Sequence, residues 1–170
     1  MPATVRLRLD PAAADALAAL RARVAAAGLP AATGTPHITV AAAGTIPAAA
    51  VRELAAELRL VSLPVSLLAT LGSVTGDENA LVLAAVTDPE VLAVHTAVHD
   101  ALAGRVRGPH ATHLPGSWLP HVVLATGRPA EAFALLHPVA PVRARITAVE
   151  LHDSRTGEVE VLSPSAPAGR

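Results

Sequence analysis

Two short stretches of the chain, Pro36-His37-Ile38-Thr39-Val40 and Pro120-His121-Val122-Val123-Leu124, set a histidine at the head of a strand-forming apolar run. Side chains alternate along a strand, so His37 and Thr39 share one face while Ile38 and Val40 share the other. In the same way His121 and Val123 lie opposite Val122 and Leu124. The apolar faces belong against helices, which leaves both histidines facing a groove between sheets. Imidazole titrates near neutral pH, so a neutral ring can take a proton while a protonated partner gives one. Cleavage of a phosphodiester needs both acts, because the nucleophile loses a proton and the leaving oxygen gains one. A hydroxyl two residues after the histidine, as at Thr39, sits on the same face and can bond a non-bridging phosphate oxygen.

The elements that carry these residues follow from periodicity. Val5, Leu7 and Leu9 alternate with Arg6 and Arg8, which predicts a strand with one polar face. Asp10-Pro11 opens a helix that runs to about Gly28. The Pro36–Val40 strand precedes a helix from Ala48 to Leu60. Two apolar strands, Pro64–Leu71 and Ala80–Val86, flank the turn-forming stretch Gly72–Asn79 and predict a hairpin. Asp88-Pro89 opens a third helix that reaches about Arg105. Arg107–Pro120 reads as loop, Leu119–Ala125 as strand and Ala130–Leu136 as a fourth helix. Arg143–His152 and Glu158–Leu162 form a last strand pair. Strand-helix-strand-helix thus occurs twice, with a Pro-His strand in the matching place of each half. This order predicts an α+β fold of duplicated β-α-β-α-β units. Two antiparallel sheets flank a central cleft, and the helices lie on the outer faces. One bilobal domain is expected over residues 1–162, with a disordered Pro/Ala/Ser tail over 163–170.

Composition sets the bounds. The chain has 170 residues, is 52% hydrophobic and carries a net charge of -1. It can fill a core, largely with alanine. It lacks the basic excess of proteins that grip long duplexes, which suits a small or single-stranded substrate. All 13 basic residues are arginine. There is no cysteine, so thiolate catalysis, disulfides and cysteine-based zinc sites are excluded. No apolar run is long enough and free enough of Pro and charge to span a bilayer. A soluble, cytoplasmic monomer that does not contact membrane is expected.

The paired His-x-Thr-hydrophobic motifs resemble those of the 2H phosphoesterase superfamily, which includes the RNA 2′,3′-cyclic phosphodiesterases and the 2′-5′ RNA ligase-like proteins. His37-Ile38-Thr39-Val40 fits the motif fully, and His121-Val122-Val123-Leu124 departs at its third position. The hairpin over Leu67–Val86, the Trp118-Leu119-Pro120-His121 approach and the ending from Leu151 to Leu162 follow the order of that superfamily. The resemblance covers the chain to about Leu162.

It implies a metal-independent phosphodiesterase without a cofactor, acting on 2′,3′-cyclic phosphates or 2′-5′ linkages. Its substrate would be an RNA end, an oligonucleotide or a cyclic nucleotide. His37 and His121 become the acid-base pair and Thr39 the phosphate ligand. For cyclic phosphate hydrolysis, His121 is assigned as base toward water and His37 as acid toward the ribose oxygen. Val123 stands where the superfamily's second threonine would bond phosphate, and it cannot donate that bond. Loss of one such donor costs about 10²–10³ in rate. A second reading is therefore a nucleotide- or RNA-binding module of the same fold. Arg6 and Arg8 either share the groove with His37 or are solvated, and Arg143 and Arg145 pose the same question. Trp118 either stacks a base or packs at a lobe edge.

The remaining histidines invite a metal. His95 and His99 stand four apart on the third helix, but helices of this architecture lie outside the sheets, so both are read as structural. His110, His113 and His121 also invite zinc, but the first two lie in a Pro/Gly-rich loop and no fourth ligand has persuasive spacing; the alternative reading of that loop is a substrate-contacting lid over the cleft. A metal-dependent hydrolase is the third and weakest reading.

Overall fold

The computed structural model describes residues 2–74 and 79–164. Its elements are β1 (Ala3–Leu9), α1 (Pro11–Ala26), β2 (His37–Thr45), α2 (Ala48–Leu58), β3 (Val65–Val74), β4 (Ala80–Ala85), α3 (Pro89–Leu102), β5 (Arg107–Pro109), a 3-10 turn (Ala111–His113), β6 (His121–Thr126), α4 (Pro129–Leu136), β7 (Val142–Asp153) and β8 (Val159–Pro164). The fold is α+β, as expected. Ser163 and Pro164, assigned from sequence to the tail, belong to β8. The rest of that tail, and the hairpin tip at 75–78, lie outside the described residues.

The strands join in one antiparallel path, β5-β2-β1-β7-β3-β4-β6, with β8 on β7. The two expected sheets are therefore continuous, and β7 is the reason. Its residues 142–145 pair with β3. Its later residues pair with β1 along one edge and with β8 along the other. A twelve-residue strand is long enough to serve both lobes.

The alternation inferred for the histidine strands is present. Ile38, Val40, Val122 and Leu124 are fully buried, while His37, Thr39, His121 and Val123 are half-buried on the opposite face. The core joins these four to Leu7, Leu17, Leu54, Leu83, Val98 and Ile146.

The helices cross between halves. α1 follows β1 but lies against β6, β7 and α4, whereas α3 follows β4 but lies against β2 and α2. Each crossing brings a strip of backbone to the far histidine strand. After α1, the Ala32 N–H donates to the Leu124 carbonyl at 3.0 Å and the Thr126 N–H to the Pro30 carbonyl at 2.8 Å. After α3, β5 pairs with β2 through Ala43–Pro109 and Thr45–Arg107. β5 falls in the segment read from sequence as loop. Its partner is the open edge of β2, which would otherwise leave backbone groups unpaired.

Both crossing helices start alike. Asp10 and Asp88 each precede a proline and accept an N–H three residues on, Ala13 at 3.4 Å and Val91 at 2.9 Å. The proline supplies a preset φ where no N–H is needed, and the aspartate caps the free donors. No helix among the described residues is long and apolar enough to cross a membrane.

Candidate active site

β2 and β6 approach one another, and each carries its histidine on its half-buried face. Both rings are held alike. His37 Nδ1 lies 2.8 Å from the Thr35 carbonyl, and His121 Nδ1 lies 2.7 Å from the Leu119 carbonyl. A carbonyl only accepts, so Nδ1 carries the hydrogen in each ring and Nε2 is left with its lone pair. The bond to the residue two positions back fixes the tautomer of both imidazoles.

The two walls differ in chemistry. Across β1, Arg8 is the register partner of His37 and Arg6 that of Thr39. Across β7, Glu150 is the partner of Arg6 and His152 that of Thr4. Directly paired residues share a face. Arg6, Arg8, His37, Glu150 and His152 accordingly line one groove of about 840 Å³, which Val159 of β8 also lines. The strand partners of His121 and Val123 are instead Ala84 and Val82. Where the first wall has Arg8 and Arg6, the second has two small apolar side chains. Cationic side chains that line the groove are thus concentrated on the His37 side.

Arg6 Nε donates to the Thr4 hydroxyl at 2.9 Å, and Arg8 pairs with Glu150. Arg143 and Arg145 are exposed beside Leu67 and Val65 and are not among the groove's lining residues. Trp118 is half-buried, stacked on His95 with centroids 4.1 Å apart, and its Nε1–H donates to the Thr39 carbonyl at 2.9 Å. One face of the indole and its N–H are therefore occupied within the fold.

His95 is buried and donates from Nε2 to the His113 carbonyl at 2.8 Å, and His99 donates to the Val40 carbonyl at 3.2 Å. His95 thus ties α3 to the 3-10 turn, and His99 ties it to β2. His110 donates its backbone N–H to the Ala42 carbonyl at 2.8 Å. His113 is half-buried, and its Nδ1 has no partner among the described residues. Among the described residues, no three His, Asp or Glu side chains gather as metal ligands would.

Burial lowers the affinity of these rings for a proton. His37 falls to about 4, mainly by desolvation; the Thr35 carbonyl opposes the shift, and the charges of Arg6, Arg21 and His152 add to it. His121 is lowered by desolvation, opposed by the Leu119 carbonyl. His113 falls to about 4 by desolvation and the nearby charges of His121, His110, His99 and His95.

One residue of this region was missed in the sequence. Arg21, on α1, is only 7% exposed. Its Nε and Nη2 donate to the Val123 carbonyl at 3.0 and 2.8 Å, and its Nη1 donates to the Gly34 carbonyl at 2.7 Å. The available signal was its place on the stripe of Ala13, Leu17 and Val24, where an arginine is out of pattern.

The antiparallel α+β sheet with its crossed helices matches the 2H phosphoesterase fold. Three solved structures of that fold resemble the chain over nearly its whole length. Usb1 of Kluyveromyces marxianus, determined with uridine monophosphate, matches with a TM-score of 0.60 and 12% identity over 95% of this chain and 97% of that one. LigT of E. coli, in apo form, matches at 0.59 and 15% over 97% and 94%. The protein TT0787 of Thermus thermophilus matches at 0.59 and 19% over 96% of each chain. No protein-family model and no curated protein sequence matches the chain.

Proposed function

We propose that the chain is a metal-independent phosphodiesterase acting on 2′,3′-cyclic phosphate or 2′-5′ phosphodiester bonds of RNA or nucleotides, with His37 and His121 as its acid-base pair. The observation that carries this reading is the matched pair of rings. Each is tied through Nδ1 to the carbonyl two residues back, and each presents Nε2 from one of two adjoining strands. Arg6, Arg8 and Thr39, on the His37 wall, would hold the phosphate oxygens. A neighbour of the same fold determined with uridine monophosphate supports a nucleotide-sized ligand.

The charges around the rings favour the reverse of the role assignment made from sequence. Arg6 and Arg21 bear on His37 and oppose its protonation, whereas His121 is lowered by burial without such a cation. In hydrolysis, His37 Nε2 takes the proton of the attacking water. The new P–O bond forms as the bond to the ribose oxygen breaks, and His121 gives its proton to that oxygen. A phosphomonoester and a free hydroxyl result.

The test is hydrolysis of uridine 2′,3′-cyclic phosphate and of a 2′-5′ linked dinucleotide, with and without chelator. Turnover that resists chelator and falls by about 10²–10⁴ in either His37→Ala or His121→Ala is expected. Near-normal turnover in His37→Ala overturns the scheme. Val123 favours one alternative, a binding module of the same fold. Nucleotide binding without turnover would establish it.

A further inference from the structure

We propose that Arg21 is a positioning residue for this reaction: it ties the His121 strand to the loop that delivers His37, and it sets a buried positive charge behind the motif that lacks a hydroxyl. The inference rests on the proposed phosphodiesterase reading. Arg21 reaches out of α1 with two nitrogens on the Val123 carbonyl and a third on the Gly34 carbonyl. Val123 is two residues after one histidine and Gly34 three residues before the other. A single planar group thus spans both arms of the site, and the distance between its nitrogens fixes the spacing of the two carbonyls.

The duplication supplies an internal control. Thr39 occupies in the first half the place that Val123 holds in the second. The Thr39 carbonyl is also braced from the opposite half, by the Trp118 Nε1–H at 2.9 Å. A neutral donor therefore suffices for a mechanical brace. The half with the threonine has the neutral brace, and the half with Val123 has the cation. Among the described residues no acidic side chain pairs with Arg21, whose charge is desolvated at 7% exposure. Burying an unpaired charge is costly, and burial lowers the affinity of Arg21 for its own proton. An anion held between the histidines would offset that cost. Arg21 would then supply, through the strand, part of the attraction that a second threonine would have given directly.

Steady-state kinetics of the full chain on uridine 2′,3′-cyclic phosphate, as a function of pH, tests this in Arg21→Met, Arg21→Lys and Trp118→Phe. His37 faces Arg6 from β1, Arg21 from α1 and His152 from β7, with Arg8 opposite it paired to Glu150. Arg21→Met is expected to lower kcat by about 10², the effect of a small misplacement of reacting groups, and to move the acid limb of kcat/KM to higher pH. Arg21→Lys keeps that limb in place but loses kcat, because a point charge cannot span two carbonyls. Trp118→Phe loses the neutral brace without moving the limb. A wild-type kcat and an unmoved limb in Arg21→Met, with only the melting temperature lowered, overturn the proposal.

Should Arg21→Met fail to fold, Arg21→Lys decides: a lowered kcat with an unmoved limb supports the inference, and a wild-type kcat refutes it. If the wild-type chain turns over neither a cyclic nucleotide nor a 2′-5′ dinucleotide, the phosphodiesterase reading fails by itself. Proton NMR titration of His37 with saturating uridine monophosphate then tests Arg21 separately. A higher midpoint in Arg21→Met than in Arg21→Lys, together with weaker nucleotide binding, supports its role behind the anion. Equal midpoints and equal affinity refute it.

Discussion

At Val123 a β-branched side chain keeps the shape of threonine and lacks its hydroxyl. It is half-buried on the open face of β6, two residues beyond His121, so a threonine there would share the face that carries His121. Val123→Thr is therefore expected to raise kcat/KM by about 10-fold or more, a part of what one oxyanion donor supplies. An unchanged kcat/KM on a cyclic nucleotide would mean that phosphate does not sit at that position. His37, His121, Thr39 and Val123 were legible because period-two alternation assigns a face to every residue of a strand. Arg6 and Arg8 were legible as a polar face but not as neighbours of His37, since strand order decides that. Arg21 was not legible. On a helix rich in alanine, an arginine reads as solvated, and only the crossing of α1 onto β6 turns it inward.

Among the elements, the two Asp-Pro helix starts are the cleanest trace of the duplication, yet they are not equivalent. Among the described residues the Asp88 carboxylate accepts only the Val91 N–H, whereas Asp10 accepts the Ala13 N–H and, through its other oxygen, the Arg145 N–H at 2.7 Å. Asp88→Ala is expected to cost about 1 kcal/mol, or roughly 2–4 °C of melting temperature in a chain of this size. Asp10→Ala should cost more, because it also removes the partner of a β7 amide. Thermal melts of both variants check the order, and equal losses would show that the Arg145 bond adds nothing. Helix starts and strand cores were legible since caps, prolines and apolar spacing are local. β5 was not, because Arg107-Gly108-Pro109 has no strand pattern of its own and is ordered by the edge of β2. The exchange of α1 and α3 between halves was equally hidden. Loop lengths permit it, but only the packing of whole helices selects it.

For the whole molecule, the histidines couple the fold to pH. His37 and His113 each hold a proton less readily in the folded chain, at about 4, than in the unfolded chain, at 6.5. Above 6.5 both states are neutral at these positions, and the rings add no pH dependence. Between 6.5 and 4 the unfolded chain binds protons that the folded chain refuses, so stability falls as the pH falls through that window. His95, His121 and His152 shift in the same direction and add to the slope. Asp153 acts in a lower window. Its bonds from Arg155 hold it at about 2, below its ordinary 3.8, and that contribution is lost as the pH falls from 3.8 through about 2. The melting temperature is therefore expected to be flat from about pH 8 to 7 and to decline from about 6.5 toward 4. His113→Asn should flatten the decline, because it removes a ring whose Nδ1 has no partner among the described residues while leaving His37 and His121 in place. Melts of the two proteins across this range check it. A wild-type chain that holds its melting temperature down to pH 4 would mean that these rings are solvated, and with that the case for His37 as the neutral member of the pair would fail.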